Sequence, residues 1–169
     1  LTGLAQDQVS NLQSIARVNE TKDWYFFDKG FSPSRENIND GQFKHAFGFD
    51  QHNWFEWIKT DQDELQITHE YYQQMYRGYP VQFAEFKLHH FSNRPTEANG
   101  NVVSNLSMPI PAIIGFDKAL ESAKLSFPAQ VYMWEDRNEE LALKERSHGA
   151  QTTYFPHEEL IWAINDNNI

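Results

Sequence analysis

An α+β fold with a mainly antiparallel sheet follows from three observations. Helical and strand-like stretches are interspersed, without the regular alternation that a parallel sheet requires. Short aromatic runs bounded by Gly, Pro, Asn and Asp recur along the chain. Residues 61–77 carry the cues of an amphipathic helix and lie within a segment, 43–91, dense in rings and imidazoles. The expected architecture is a single domain over residues 1–169. In it a central helix, about 61–77, packs on the sheet, with further helices at the N- and C-terminal ends.

The elements are justified in order. Leu1, Ala5, Val9, Leu12, Ile15 and Ala16 fall close to one helical stripe, which predicts an N-terminal helix over 1–18. Asp23–Phe27 is short and aromatic and reads as a strand, and residues 29–42 collect Gly, Ser, Pro, Asn and Asp as a long loop. Gln42–Phe49 is expected as a second strand, and Asn53–Lys59 as a helical turn. Thr60 then offers an N-cap, and Asp61, Asp63 and Glu64 suit the positive end of a helix dipole. Leu65, Thr68, Tyr72, Met75, Tyr76 and Tyr79 recur at helical spacing, Gly78 supplies a left-handed stop and Pro80 forbids continuation.

Beyond the proline, Val81–Phe91 reads as a strand if a bulge sits near Ala84 and Glu85. Asn99-Gly100 suggests a hairpin turn, with Val102–Leu106 returning as a strand. Asp117 can cap a helix reaching about Ser126. Val131–Trp134 and Leu141–Lys144 flank a charged turn and predict a hairpin, and Gln151–Phe155 predicts a further strand. Pro156 followed by Glu158 and Glu159 announces a C-terminal helix over Leu160–Ile164, with 165–169 as a frayed tail.

Composition narrows the function. The 169 residues carry 24 acids against 14 bases, a formal charge of −10. Nucleic-acid binding needs a basic footprint, so this balance sets that class aside. Cysteine is absent, which removes disulfides, thiol nucleophiles and thiolate metal sites. Aromatic residues make up 15% of the chain, so the interior is expected to be built from Phe, Tyr and Trp. No stretch approaches the roughly 18 apolar residues of a membrane span. The start at Leu1 suggests a processed or truncated chain, and the compartment stays open between cytoplasmic and, after removal of an upstream segment, extracytoplasmic.

Catalytic and cofactor signatures are missing: there is no HExxH, no G-x-S-x-G, no P-loop and no G-x-G-x-x-G. No cofactor is expected. Asp61, Asp63 and Glu64 are explained by the helix dipole, and Glu135, Asp136, Glu139 and Glu140 by a solvated turn. The stretch GQFKHAFGFDQHNWFEWI, with Met75, Arg77 and Pro80 after it, resembles the segment preceding the cofactor domain of some fungal O-methyltransferases. The glycine-rich methyl-donor loop of that family is missing downstream, and no residue role is carried over.

The residues that remain point to binding. On a helix, Trp54 and Trp57 share a face, with His52 and Glu56 beside them, and such rings anchor protein partners or small ligands. The function expected is a non-catalytic binding domain, acidic and rich in aromatics, for a protein partner or small ligand. It would be a neutralising partner of a basic protein, or an extracytoplasmic sensor or binding domain. The alternative is a small metal-assisted hydrolase or lyase built from scattered His and Glu, with His89, His148 and His157 gathered around the ion.

Overall fold

A computed structural model describes residues 11–92, 94–109, 112–149 and 151–163. The chain forms two compact units, Leu1–Pro109 with Leu160–Ile169, and Ile110–Glu159. The first unit holds a six-stranded sheet built from β1 (Ala16–Val18), β2 (Trp24–Phe27), β3 (Asn53–Gln62), β4 (Thr68–Tyr76), β5 (Tyr79–Phe91) and β6 (Arg94–Gly100). Their order across the sheet is β1-β2-β6-β5-β4-β3, and each neighbouring pair is antiparallel. A short helix, α1 (Gly41–Ala46), joins β2 to β3. The α+β, antiparallel expectation holds. The central helix does not.

Residues 61–77 end β3, turn, and form the whole of β4. The helical spacing of the apolar residues was accidental. On β4 the side chains facing the interior are Glu70, Tyr72, Gln74 and Tyr76, and two polar members hide the period-two alternation. Tyrosine-rich segments also fit a pleated surface well. Asp63, expected in a helical first turn, instead accepts from the backbone N–H groups of Leu65 and Ile67 and closes the β3–β4 turn. Arg77 and Gly78 both have positive φ, 48° and 88°, the backbone of a two-residue hairpin turn joining β4 to β5. The same Gly-Pro punctuation that stops a helix here reverses a strand.

Other elements differ for similarly local reasons. Gln42–Phe49, expected as a strand, overlaps α1 instead, because the Asp40 carboxylate caps Phe43 N–H at 2.9 Å and Phe43, Ala46 and Phe47 share one buried side. Asn53–Lys59 is strand, not a helical turn. The bulge expected in β5 falls at residues 81–84, where the pairing with β4 jumps from Glu85 to Pro80. β6 occupies the stretch expected to be connection, and residues 102–106 form no strand. Instead, the Gln74 side chain accepts from Val103 N–H at 2.9 Å and donates to its carbonyl at 2.7 Å, standing in for a strand neighbour.

Of the expected N-terminal helix, residues 1–10 lie outside the described residues, and Ala16–Val18 are β1. The C-terminal helix is not formed over 160–163: Trp162 pairs in parallel with Val81, and its indole donates to the Tyr76 carbonyl at 2.7 Å. The expected tail, 165–169, also lies outside the described residues.

The second unit contains α2 (Phe116–Ser126) and α3 (Arg137–Ser147). The helix expected from Asp117 to Ser126 is present, but Asp117 does not cap it: the N-cap is Gly115, without a side-chain hydrogen bond, and Asp117 lies in the first turn. The hairpin expected over 131–144 is replaced by α3, whose N-cap Asp136 accepts from Asn138 N–H at 2.8 Å. Acids Glu139 and Glu140 in its first turn and Lys144 and Arg146 in its last match the helix dipole, and this pattern outweighs a weak strand signal. No strand forms over 151–155.

Candidate interaction surface

Register divides the sheet into two faces of opposite character. On one, Val18, Tyr25, Ala98, Leu88 and Glu70 lie side by side across five strands, with Phe86 and Tyr72 in the next row. Phe43 and Phe47, from α1 and its C-cap, close this face, with ring centroids 5.9 Å and 5.4 Å from Phe86. Phe49 and Phe55 complete the cluster. The expectation of an aromatic interior is met here. Burial pushes the Tyr25 phenol up to about 12, with a smaller contribution from the Asp23 carboxylate. Tyr72 is likewise raised, by burial first and then by its hydrogen bond to Glu70 at 2.7 Å.

Among the described residues, no helix of its own unit lies on the opposite face. Its first row is Lys59, Tyr71, Lys87, Asn99 and Trp24, and its second is Asp61, His69, His89, Glu97, Phe26 and Arg17. The Lys59 and Lys87 ammonium groups flank the Tyr71 ring at 4.4 Å and 4.8 Å from its centroid. Arg17 lies over Phe26 at 4.8 Å, and Trp24 stacks on His89 at 5.4 Å. A depression of about 490 Å³ opens between Lys59, Tyr71, Gln73, Glu85, Lys87 and Asn99. Half-exposed rings interleaved with both signs of charge make a surface suited to recognition of another protein.

One polar chain runs across the second row. Asp63 Oδ2 lies 3.3 Å from His69 Nε2, His69 Nδ1 lies 2.8 Å from His89 Nδ1, and His89 Nε2 lies 2.7 Å from Asn99 Oδ1. Both imidazoles are buried. Burial holds His89 below its ordinary value, partly opposed by the Asn99 hydrogen bond and reinforced by the neighbouring charge of His69. Hydrogen bonds from Ile67 N–H first, then from the His69 imidazole and Leu65 N–H, keep the Asp63 carboxyl below the usual range, against the opposing effect of burial.

The sheet edge at β3 is partly closed. The Asn39 side chain accepts from Phe55 N–H at 2.7 Å and donates to Phe55 carbonyl at 2.9 Å, occupying the groups another strand would use. A bulge at Ile58 distorts the edge further along.

The residues singled out from the sequence are distributed by strand parity. Trp54 and Glu56 project to the open side, opposite Met75 and Gln73, whereas Trp57 lies opposite Tyr72 on the closed side. The two tryptophans therefore do not share a face, because three residues on a strand reverse direction. Trp57 is 41% exposed, lies under the Arg35 guanidinium at 4.0 Å, and donates from its indole to Thr60. His52 precedes β3 with its ring edge-on to Tyr76 at 6.4 Å. Of the histidines in the metal alternative, His89 belongs to the first unit, while His148 caps α3 and His157 is exposed, both in the second. Among the described residues no three His, Asp or Glu side chains gather to hold an ion.

Sequence reading missed the His69–His89 pair, the Tyr71 sandwich and the edge-plugging Asn39. Only the register of β4 on β5 brings His69 to His89. Among the described residues no helix is long and apolar enough to cross a membrane.

Comparison with known proteins adds one match. Residues 55–102 fit the family model described as the Fungalysin/Thermolysin Propeptide Motif. That span runs from within β3, through β4 and β5, to just past β6. No curated protein and no solved structure matches the chain. A non-catalytic, partner-binding character fits this match.

Proposed function

We propose that this chain is a propeptide-type module that binds a protease of the fungalysin or thermolysin kind and restrains it or assists its folding. The observation that carries the reading is the coincidence of the matched span, 55–102, with four consecutive strands of one antiparallel meander. The motif corresponds to a complete piece of architecture. The open face of that meander presents Tyr71 between two lysines, with Trp54 and Glu56 at its β3 border, and supplies a surface for the partner. The net charge of −10 supports association that weakens as salt rises, through loss of electrostatic steering.

The test uses the full chain and a purified thermolysin-class protease of the same organism. Calorimetry is expected to show saturable association, accompanied by slowed peptide hydrolysis or a higher refolding yield. A Tyr71→Ala, Lys87→Ala chain is expected to bind about tenfold more weakly, a difference of about 1.4 kcal/mol. No association at about 100 μM protein, far above ordinary specific affinities, would overturn the reading.

A further inference from the structure

The polar chain from the β3–β4 turn across β4, β5 and β6 has a proton count that a doubly charged pair cannot satisfy. Its three contacts involve all four ring nitrogens of His69 and His89, the Asp63 carboxylate and the Asn99 amide. Asp63 accepts, so His69 Nε2 carries hydrogen, whereas the Asn99 amide can turn its oxygen or its NH2 group to His89 Nε2. The inner Nδ1–Nδ1 contact at 2.8 Å needs one hydrogen between the two rings. A singly charged pair facing the amide oxygen, and a neutral pair facing the amide NH2, each supply one hydrogen to every contact. A doubly charged pair sets N–H against N–H at 2.8 Å, with two like charges in a buried place.

We propose that His69 and His89 form a proton-sharing clasp between β4 and β5, closed when one proton lies between them and opened when each ring carries its own. Asp63 touches the His69 ring, and Asp61 lies opposite His69 on β3. His89 faces Glu97 on β6, lies under the Trp24 ring from β2, and has Lys87 and His90 near it on β5. Arg17 of β1 sits one position beyond, over Phe26. The burial that keeps His89 neutral fixes the sign of the effect. Below its ordinary value of 6.5 the unfolded chain takes up this proton while the folded chain resists it. Stability is therefore full above that value and falls as pH drops from it towards the lower folded value. The clasp lies on the open face beside Trp24 and Phe26, so its opening loosens the sheet where the surface is most aromatic.

This inference stands on side-chain geometry alone and concerns no partner. It is tested on the full chain by comparing thermal unfolding at about pH 7.5 and about pH 5, on either side of the imidazole range, in wild type, His69→Gln and His89→Gln. The wild type is expected to lose about 3 °C or more beyond the loss shown by either variant, the scale of roughly 1 kcal/mol in a domain of this size. Equal losses in all three chains would overturn the clasp. Imidazole nitrogen NMR of the wild type decides the matter if the variants fail to fold. Two coupled titration steps and a shared inner proton are expected, and two independent titrations near 6.5 would overturn the clasp. Neither failure bears on protease binding, which is measured separately at neutral pH.

Discussion

The two faces of the sheet use the same strands and nearly the same aromatic vocabulary, yet they solve different problems. On the closed face Tyr25, Phe55 and Phe86 meet Phe43 and Phe47 ring to ring, mostly edge-to-face, and are buried. On the open face Trp24, Phe26 and Tyr71 meet guanidinium, ammonium and imidazole groups instead, and remain half exposed. A ring against a ring contributes mainly through removal of apolar surface from water. A ring against a cation contributes little at an exposed position but stays available to a partner. The contrast teaches that aromatic content alone says nothing about which rings hold the fold and which face outward. Strand parity decides it.

The sharpest way to break the contrast is to remove a ring from the closed face. Phe86 is 1% exposed and touches Tyr25, Phe43, Phe47 and Phe55. Phe86→Ala is expected to cost about 3–5 kcal/mol, read as a lowered urea midpoint. A loss under about 1 kcal/mol would mean that α1 does not seal this face.

A middle-sized effect is expected at the edge. Asn39→Ala removes both hydrogen bonds to the Phe55 backbone, a loss of about 1–2 kcal/mol by equilibrium unfolding. The exposed strand groups are expected to promote self-association at high concentration, visible by light scattering. Unchanged scattering would show that the Ile58 bulge is sufficient protection.

The smallest effect on stability is expected from the open face. Tyr71→Ala with Lys87→Ala removes both cation–ring contacts of the half-exposed Tyr71 and is expected to change unfolding free energy by about 1 kcal/mol or less. The same double variant is the one expected to weaken protease binding. A large stability loss here would erase the distinction between the faces.

Part of this was legible beforehand. Asp23–Phe27 and Val81–Phe91 read as strands because their rings are short-range, dense and bounded by turn residues. The bulge in β5 was implied by a broken alternation, and α2 by an apolar stripe. The longest error, a helix over 61–77, came from buried polar residues. Glu70 and Gln74 face inward because Tyr72, His90 and Arg35 gather around the carboxylate, and Asn53 and Val103 around the amide. Apart from Tyr72, those partners are remote in sequence, so no local pattern can reveal that the positions are interior ones. Trp54 and Trp57 were separated by the same error, since a helix would have placed them together.

By itself the sequence determined the α+β class, the aromatic interior, the absence of thiol chemistry and the acidic charge, because these depend on composition and on contacts a few residues long. Tertiary structure alone decided which rings are sealed under α1, which lie open, and that His69 meets His89 across twenty residues of chain. The physical reason is register. In an antiparallel sheet a shift of one residue exchanges the two faces, and the hydrogen bonds that set the shift join strands from distant parts of the chain.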